Sequence, residues 1–417
     1  LKSVCLAYYV NFLQHRTCVD LSQMARALLL ASLVQASSAS GLASSGDLEL
    51  MQISRTIPTT SKDELGRDFF TYAGVPVFPR TVSNRREMGS YKTWMFILKK
   101  HATDLEAEAL LQELHPPSMK TNPGNGELPF VEGRLTVDEL MVLLETYIGL
   151  VKLVEEDILE SRIPEHMDEE QHLERRTYPW GIQDINANVV RGRGVGVRVF
   201  ILDTGIRITH VEFGGRAFAG VDVSTGSLVI CPNRSTTCAN DTHGHGTHCA
   251  GTVGAATYGV ADGATLWSMK VLDDNGNGYT SWSIAAEQYI LASAPRPAVV
   301  SMSLGGAGNN NAEKLSIDAL VDDGITVVVA AGNENADACG FNPAWITSAI
   351  TVASYAQYGA REGPLRRAVA KSWFSNYGPC VDVWAPGSTI LSASHSSDTS
   401  TVFKSGTSMA CPHVAGL

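Results

Sequence analysis

Four short stretches of this sequence carry residue types that can do chemistry. Asp203 ends the apolar run Phe200-Ile201-Leu202, which puts a carboxylate where a strand turns at Thr204-Gly205. His243, His245 and His248 stand within six residues of one another, separated by small ones, just before Cys249. Asn333 follows a second apolar run, Val329-Ala330-Ala331-Gly332, and Ser408 opens the helix-like stretch Thr407-Ser408-Met409-Ala410-Cys411. Acid, imidazole and hydroxyl in this chain order match one of the three orders of the serine triad. A serine hydroxyl is a weak nucleophile until an imidazole takes its proton, and the imidazole needs a carboxylate to fix its tautomer. The oxyanion formed next needs donors fixed beforehand, and the Asn333 amide and the Ser408 backbone N–H are two such donors. Other readings stay open on these residues alone. Asp203 also fits an Asx-turn. The His243-Gly244-His245-Gly246-Thr247-His248 spacing is that of some binuclear zinc sites, although Thr247 stands where such a site wants a carboxylate.

These groups need a frame. From residue 195, apolar runs at 197–202, 266–272, 299–304, 325–330 and 349–353 alternate with helical stretches such as 281–293 and 312–322. Runs that are apolar nearly throughout fit strands buried on both faces, so the pattern predicts a doubly wound α/β domain on a parallel sheet. Functional groups gather at the carboxyl ends of such strands, where these four stretches fall. Upstream, 91–99 predicts a strand and 104–114 a helix stopped by Pro116-Pro117. A strand at 128–132, a helix opening on the capping-box spacing from Thr136 to Glu139, and a strand at 150–157 complete a small α+β module.

The stretches Gly244-His245-Gly246-Thr247-His248-Cys249, Lys270-Val271-Leu272-Asp273-Asp274-Asn275-Gly276, Ser303-Leu304-Gly305-Gly306, Ala331-Gly332-Asn333 and Gly406-Thr407-Ser408-Met409-Ala410 resemble the subtilisin-like serine proteases, and among them the proteinase K-type group. The resemblance implies a triad of Asp203, His245 and Ser408, with Asn333 in the oxyanion hole. It implies an endopeptidase that works through an acyl-enzyme, with no cofactor for catalysis. Substrate backbone would pair with residues 272–278, Leu272 and Gly276 among them, and with Ser303, Leu304 and Gly305 opposite. Ala330, Gly332 and Leu304 would wall an S1 pocket for bulky apolar P1 side chains. Residues 89–165 resemble, more weakly, the family's inhibitory propeptide. Its sheet would cap two helices, with Glu155-Glu156-Asp157 near their N-termini, its tail along the cleft and cleavage between Ile163 and Thr177. Asp382, with the carbonyls of Thr347 and Ala349, matches a structural Ca²⁺ site of the group. Cys339 and Cys380 resemble a disulfide of bacterial relatives, Cys231 and Cys238 would close a small loop, and Cys249 and Cys411 would be buried free thiols. There are departures. The sequence ends nine residues after Ser408, inside a helix the family continues; residues 356–370 read as an insert; and Cys411 stands where the group usually has threonine. They leave a second reading, an inactive truncated or pseudo-protease product that acts only as a binding protein.

The 417 residues carry a net charge of −11, which disfavours nucleic acid as a partner. No apolar run nears the ~18–20 residues of a membrane span. Met24-Ala25-Arg26 followed by an apolar stretch and small residues reads as a signal peptide over 24–39. Residues 1–23 read as an upstream segment, 40–88, with Pro58, Pro76 and Pro79, as a poorly ordered connector, and 166–417 as the catalytic domain. Sequons at Asn233 and Asn240 agree with export, and export favours disulfides. The expectation is a secreted monomer that acts on protein or peptide substrates and is inhibited by its own propeptide.

Overall fold

The computed structural model describes residues 61–417 apart from 64–66, 81–89, 121–128, 164–178, 188, 190–192 and 359–367. The upstream and signal-peptide readings, and nearly all of the expected cleavage window, lie outside the described residues. The described residues belong to one compact unit, Pro58–Leu417.

The N-terminal module begins with β1 (Ser61–Lys62), β2 (Asp68–Tyr72), β3 (Val75–Phe78) and β4 (Lys92–Leu98). It continues with α1 (Asp104–Gln112), β5 (His115–Lys120), β6 (Phe130–Leu135), α2 (Val137–Thr146), β7 (Val151–Glu156) and β8 (Leu159–Arg162). Both helices start on capping boxes, Thr103 with Glu106 and Thr136 with Glu139, each satisfying N–H groups at a helix end. The sheet runs β1-β2-β3-β7-β4-β6-β5. The connector reading is therefore corrected over its last part. Phe70, Val75 and Val77 are buried in the module's core, and β3 pairs parallel with β7, Val77 against Val154. Turn signals in a proline-rich text hid a strand whose partner is remote. Pro116-Pro117 likewise falls in a strand, β5, but an edge strand, where a missing N–H costs least.

The second part starts with α3 (Trp180–Asp184), β9 (Arg198–Asp203), β10 (Ala217–Asp222), β11 (Val229–Ile230) and α4 (His245–Gly254). Then come β12 (Thr265–Lys270), β13 (Asn277–Tyr279), α5 (Thr280–Ser293), β14 (Ala298–Met302), β15 (Leu304–Ala307) and α6 (Asn311–Asp322). It ends with β16 (Thr326–Ala330), β17 (Phe341–Asn342), β18 (Ile350–Tyr358), β19 (Ala368–Lys371), β20 (Val383–Pro386), β21 (Ile390–Ala393), β22 (Thr401–Lys404) and α7 (Thr407–Gly416). The doubly wound sheet is the one the apolar runs predict. β10, β12, β9, β14, β16, β18 and β20 run parallel, with β11 and β19 antiparallel at the margins. Chain order reverses beside β9, so a crevice opens at the carboxyl ends of β9 and β14. The insert read at 356–370 belongs to the β18–β19 hairpin, whose tip lies outside the described residues.

Every residue of α4 is buried, as are Thr407–His413 of α7. Small residues let the two helices share one core cluster, with Cys249, Ala250, Ala410 and Cys411 in it. Disulfides join Cys231 to Cys238 and Cys339 to Cys380, while Cys249 and Cys411 are buried free thiols. Among the described residues no helix is long and apolar enough to cross a membrane.

The module meets the second part at two helix starts. Ser281 at the start of α5 donates its N–H to Asp157 Oδ1 at 3.1 Å and its hydroxyl to Oδ2 at 2.8 Å. Ala312 at the start of α6 donates its N–H to Glu155 Oε2 at 2.8 Å. Each contact gives an N–H at a helix start, which has no partner within the helix, an oxygen to donate to, so both hold the module down. β8 then runs antiparallel between β13 and β15.

Candidate active site

Strand β9 ends on Asp203, which the crossing sheet buries completely. His245 is the first residue of α4, and its Nδ1 lies 2.7 Å and 2.8 Å from the two carboxylate oxygens of Asp203. Thr204 N–H donates to Asp203 Oδ1 at 2.7 Å, so the acid is held by its own turn as well. The α4 start depends on Gly244, whose φ of 99° suits glycine and whose position has no room for a Cβ beside His395. Asp241, to which the sequence reading gave no role, ties this corner together. Its Oδ1 accepts N–H groups from His243 and Gly244 at 3.0 and 2.7 Å and the Thr204 hydroxyl at 2.9 Å, and its Oδ2 accepts Thr247 N–H at 2.8 Å. Its place inside a sequon obscured that role.

Ser408 is the second residue of α7 and is fully buried. Its Oγ donates to Ser303 O at 3.3 Å, while its own carbonyl accepts the Ser303 hydroxyl at 2.9 Å. Cys249 bridges the two helices, its Sγ 3.9 Å from His245 Nδ1 and 3.4 Å from Ser408 O. Burial pushes the Cys249 thiol well up and that of Cys411 up to about 11, so both stay protonated. Thr407 orients Asn333. Its N–H and hydroxyl both donate to Asn333 Oδ1 at 2.9 Å, and Gly332 N–H donates to its hydroxyl at 3.2 Å. With Oδ1 fixed, the Asn333 amide nitrogen faces the α7 start, 3.0 Å from where a Cβ on Gly406 would stand.

Of the residues expected to bind substrate, Gly276, Leu304 and Gly305 pair with β8. Arg162 N–H donates to Gly276 O at 2.8 Å, Arg162 pairs with Leu304, and Ser161 pairs with Gly305. Ser303 precedes β15, and Leu272 lies buried under the opposite wall. Ala330 belongs to the same buried apolar cluster as Ile163, and Gly332 follows at the end of β16. The zinc spacing is not realised. His248 Nε2 bonds Ile390 O at 3.0 Å, and among the described residues the trio of metal-type ligand atoms that comes together is Asp203, His245 and Cys249.

The residues expected to hold Ca²⁺ lie at the start of β18 and β20. Thr347 and Ala349 lie in the turn before β18, and Asp382 precedes β20, its pairing partner. Asp382 is exposed, and Thr351 N–H donates to its Oδ2 at 2.8 Å. A carboxylate with carbonyls is an oxygen-only donor set, which suits a hard cation completed by water.

The fold thus brings an acid at one strand end, an imidazole at the start of one buried helix and a hydroxyl at the start of another to the same end of an α/β sheet. A family model described as the subtilase family matches residues 194–417, more than half of the chain, and the chain belongs to that family. It is 45% identical over 245 residues to the extracellular serine proteinase of Thermus sp. strain Rt41A, covering 57% of this chain and 55% of that protein. It is 43% identical to the alkaline serine exoprotease A of Vibrio alginolyticus over 54% of this chain and 38% of the other. It is 39% identical to the cuticle-degrading protease of Metarhizium anisopliae over 68% of each. The chain thus spans about half the length of the first of these relatives and less of the second.

Proposed function

We propose that the protein is the precursor of a secreted serine endopeptidase. The observation that carries this reading is the buried contact of Asp203 with His245 beside Ser408, in a cleft where the chain's own β8 lies as a substrate strand would. In this reading Ser408 Oγ attacks the scissile carbonyl carbon while its proton passes to His245 Nε2, and Asp203 stabilises the imidazolium through Nδ1–H. Asn333 Nδ2 and the Ser408 N–H hold the oxyanion. His245 then gives the proton to the leaving amine as the C–N bond breaks. A water deprotonated by His245 releases the acyl group.

The module acts as an inhibitory propeptide, with β8 antiparallel to both walls of the cleft and Asp157 and Glu155 docking it. Ile163, next along the strand and buried with Ala330, favours an apolar P1 preference. Export rests on the signal-like stretch at 24–39.

Two tests belong here. Asn333→Ala should lower kcat on the order of 10²–10³-fold with KM nearly unchanged, because the amide meets charge only in the transition state. A raised KM at unchanged kcat would move Asn333 out of the oxyanion hole. Asp382, Thr347 and Ala349 are proposed to hold a structural Ca²⁺, so EGTA should lower Tm; a Tm indifferent to the chelator removes that site.

A further inference from the structure

The second residue of β8, Glu160, is 1% exposed and reaches into a pocket walled by polar groups. Its Oε1 accepts the Thr280 hydroxyl at 3.2 Å and Asn342 Nδ2 at 3.1 Å, and its Oε2 accepts the Ser283 hydroxyl at 2.9 Å. Trp345 Nε1 donates to Asn342 Oδ1 at 2.9 Å, which turns the Asn342 Nδ2 into the pocket. That nitrogen also donates to Glu313 Oε2. Glu313 of α6 and Glu287 of α5 are fully buried, and Glu313 and Glu160 share the Asn342 nitrogen as donor.

Two buried carboxyls that accept from one nitrogen do not both ionise. Two unit charges ~4 Å apart repel by about 4 kcal/mol even at an effective dielectric constant of ~20. Burial pushes Glu287 up to about 8, and burial with the charge of Glu160 pushes Glu313 well up. The walls therefore offer donors: two hydroxyls, one amide and a protonated acid. Register fixes which substrate position they read. Arg162 pairs with Leu304 and Ile163 follows it into the apolar cluster of Ala330, so Glu160 stands three residues before P1.

We propose that this pocket is a specificity subsite that selects a carboxamide or carboxylic acid side chain, glutamine or glutamic acid, three residues before P1. The inference rests on the peptidase reading above. An apolar occupant leaves these donors unpaired, and a site built to hydrogen-bond a substrate group strongly rejects analogues that lack it. The titratable groups facing the occupant are Glu287, Glu313 and, from the module, Asp157. All are acids, so a glutamic acid occupant enters protonated and a glutamine occupant needs no proton of its own.

The test measures kcat/KM of the full-length, self-processed protein on peptides that differ only at that position. Glutamine should exceed leucine by ~10-fold or more. Glutamic acid should match glutamine at acid pH and fall behind as pH rises, and Glu313→Leu should narrow the preference over leucine. Leucine equal to or better than glutamine, with hydrolysis intact, overturns the subsite and leaves the peptidase reading standing. If no peptide is cut, the peptidase reading fails instead, and the uncut chain decides the pocket. In Ser408→Ala protein, Glu160→Gln should keep the β8 amides protected from hydrogen exchange while Glu160→Leu exposes them; equal protection overturns the proposal.

Discussion

Replacing Ser408 with alanine should lower kcat for peptide hydrolysis on the order of 10⁴–10⁶-fold, to the residual level left by substrate binding and the oxyanion donors. The substitution removes the atom that forms the acyl bond and little else. The α7 start is held by its backbone, with Ser408 O accepting from Ser303 Oγ and Cys249 Sγ, whereas the Ser408 hydroxyl contributes a 3.3 Å bond to Ser303 O. KM and Tm should therefore change little. No neighbour takes over, because burial and the charge of Asp203 keep the Cys249 thiol protonated. Asp203→Asn should cost about 10⁴-fold, since an amide facing His245 Nδ1 stabilises the wrong tautomer. Turnover like that of the unmodified protein in Ser408→Ala would sink the whole assignment.

The parts of this site legible from sequence were those where local text and position coincide. Asp203 closes an unbroken apolar strand, and the glycines around His245 and before Ser408 leave a backbone pattern few segments share. The parallel sheet was legible for the same reason, since β14 and β16 are apolar almost throughout and β9 is apolar between its two charged ends. What stayed hidden is decided by remote partners. Strand β3 was obscured by Pro76 and its partner β7 lies across the module. Thr407 and Asp241 act through hydrogen bonds to residues far away in the chain, Asn333 and Thr204. Glu287 is the one acid of α5, and Glu313 shares α6 with Asp318 and Asp322, which are not buried; only tertiary packing distinguishes a buried carboxyl from a solvated one.

Docking of the module should weaken as pH rises from about 5 to 8, because its contact surface is crowded with buried carboxyls. Burial raises Glu132 to about 8, with the charge of Asp157 adding to it. Burial also raises Asp157 and Glu155 to about 7, against their hydrogen bonds to Ser281 and Ala312, and raises Glu160 further along the strand. Glu287 and Glu313 face the same surface, and Arg67, 3.6 Å from Glu155, is the basic group that opposes the trend. An undocked module gives its acids back to water and to ordinary carboxylate values near 4. Between those values and about 7–8 the docked state binds more protons, so its advantage is complete below pH ~4 and is lost as pH rises through 7–8. Each such group contributes a factor of about ten per pH unit while it is protonated only in the docked form. In Ser408→Ala protein, which cannot cut itself, the first unfolding transition should fall in temperature from pH 5 to pH 8. The combined substitution Glu132→Gln, Asp157→Asn and Glu160→Gln should flatten that fall, since amides have no proton to lose. A transition that rises with pH over this range would mean that these carboxyls ionise at ordinary values in the docked state, and that the helix N-termini, not protons, hold the module in place.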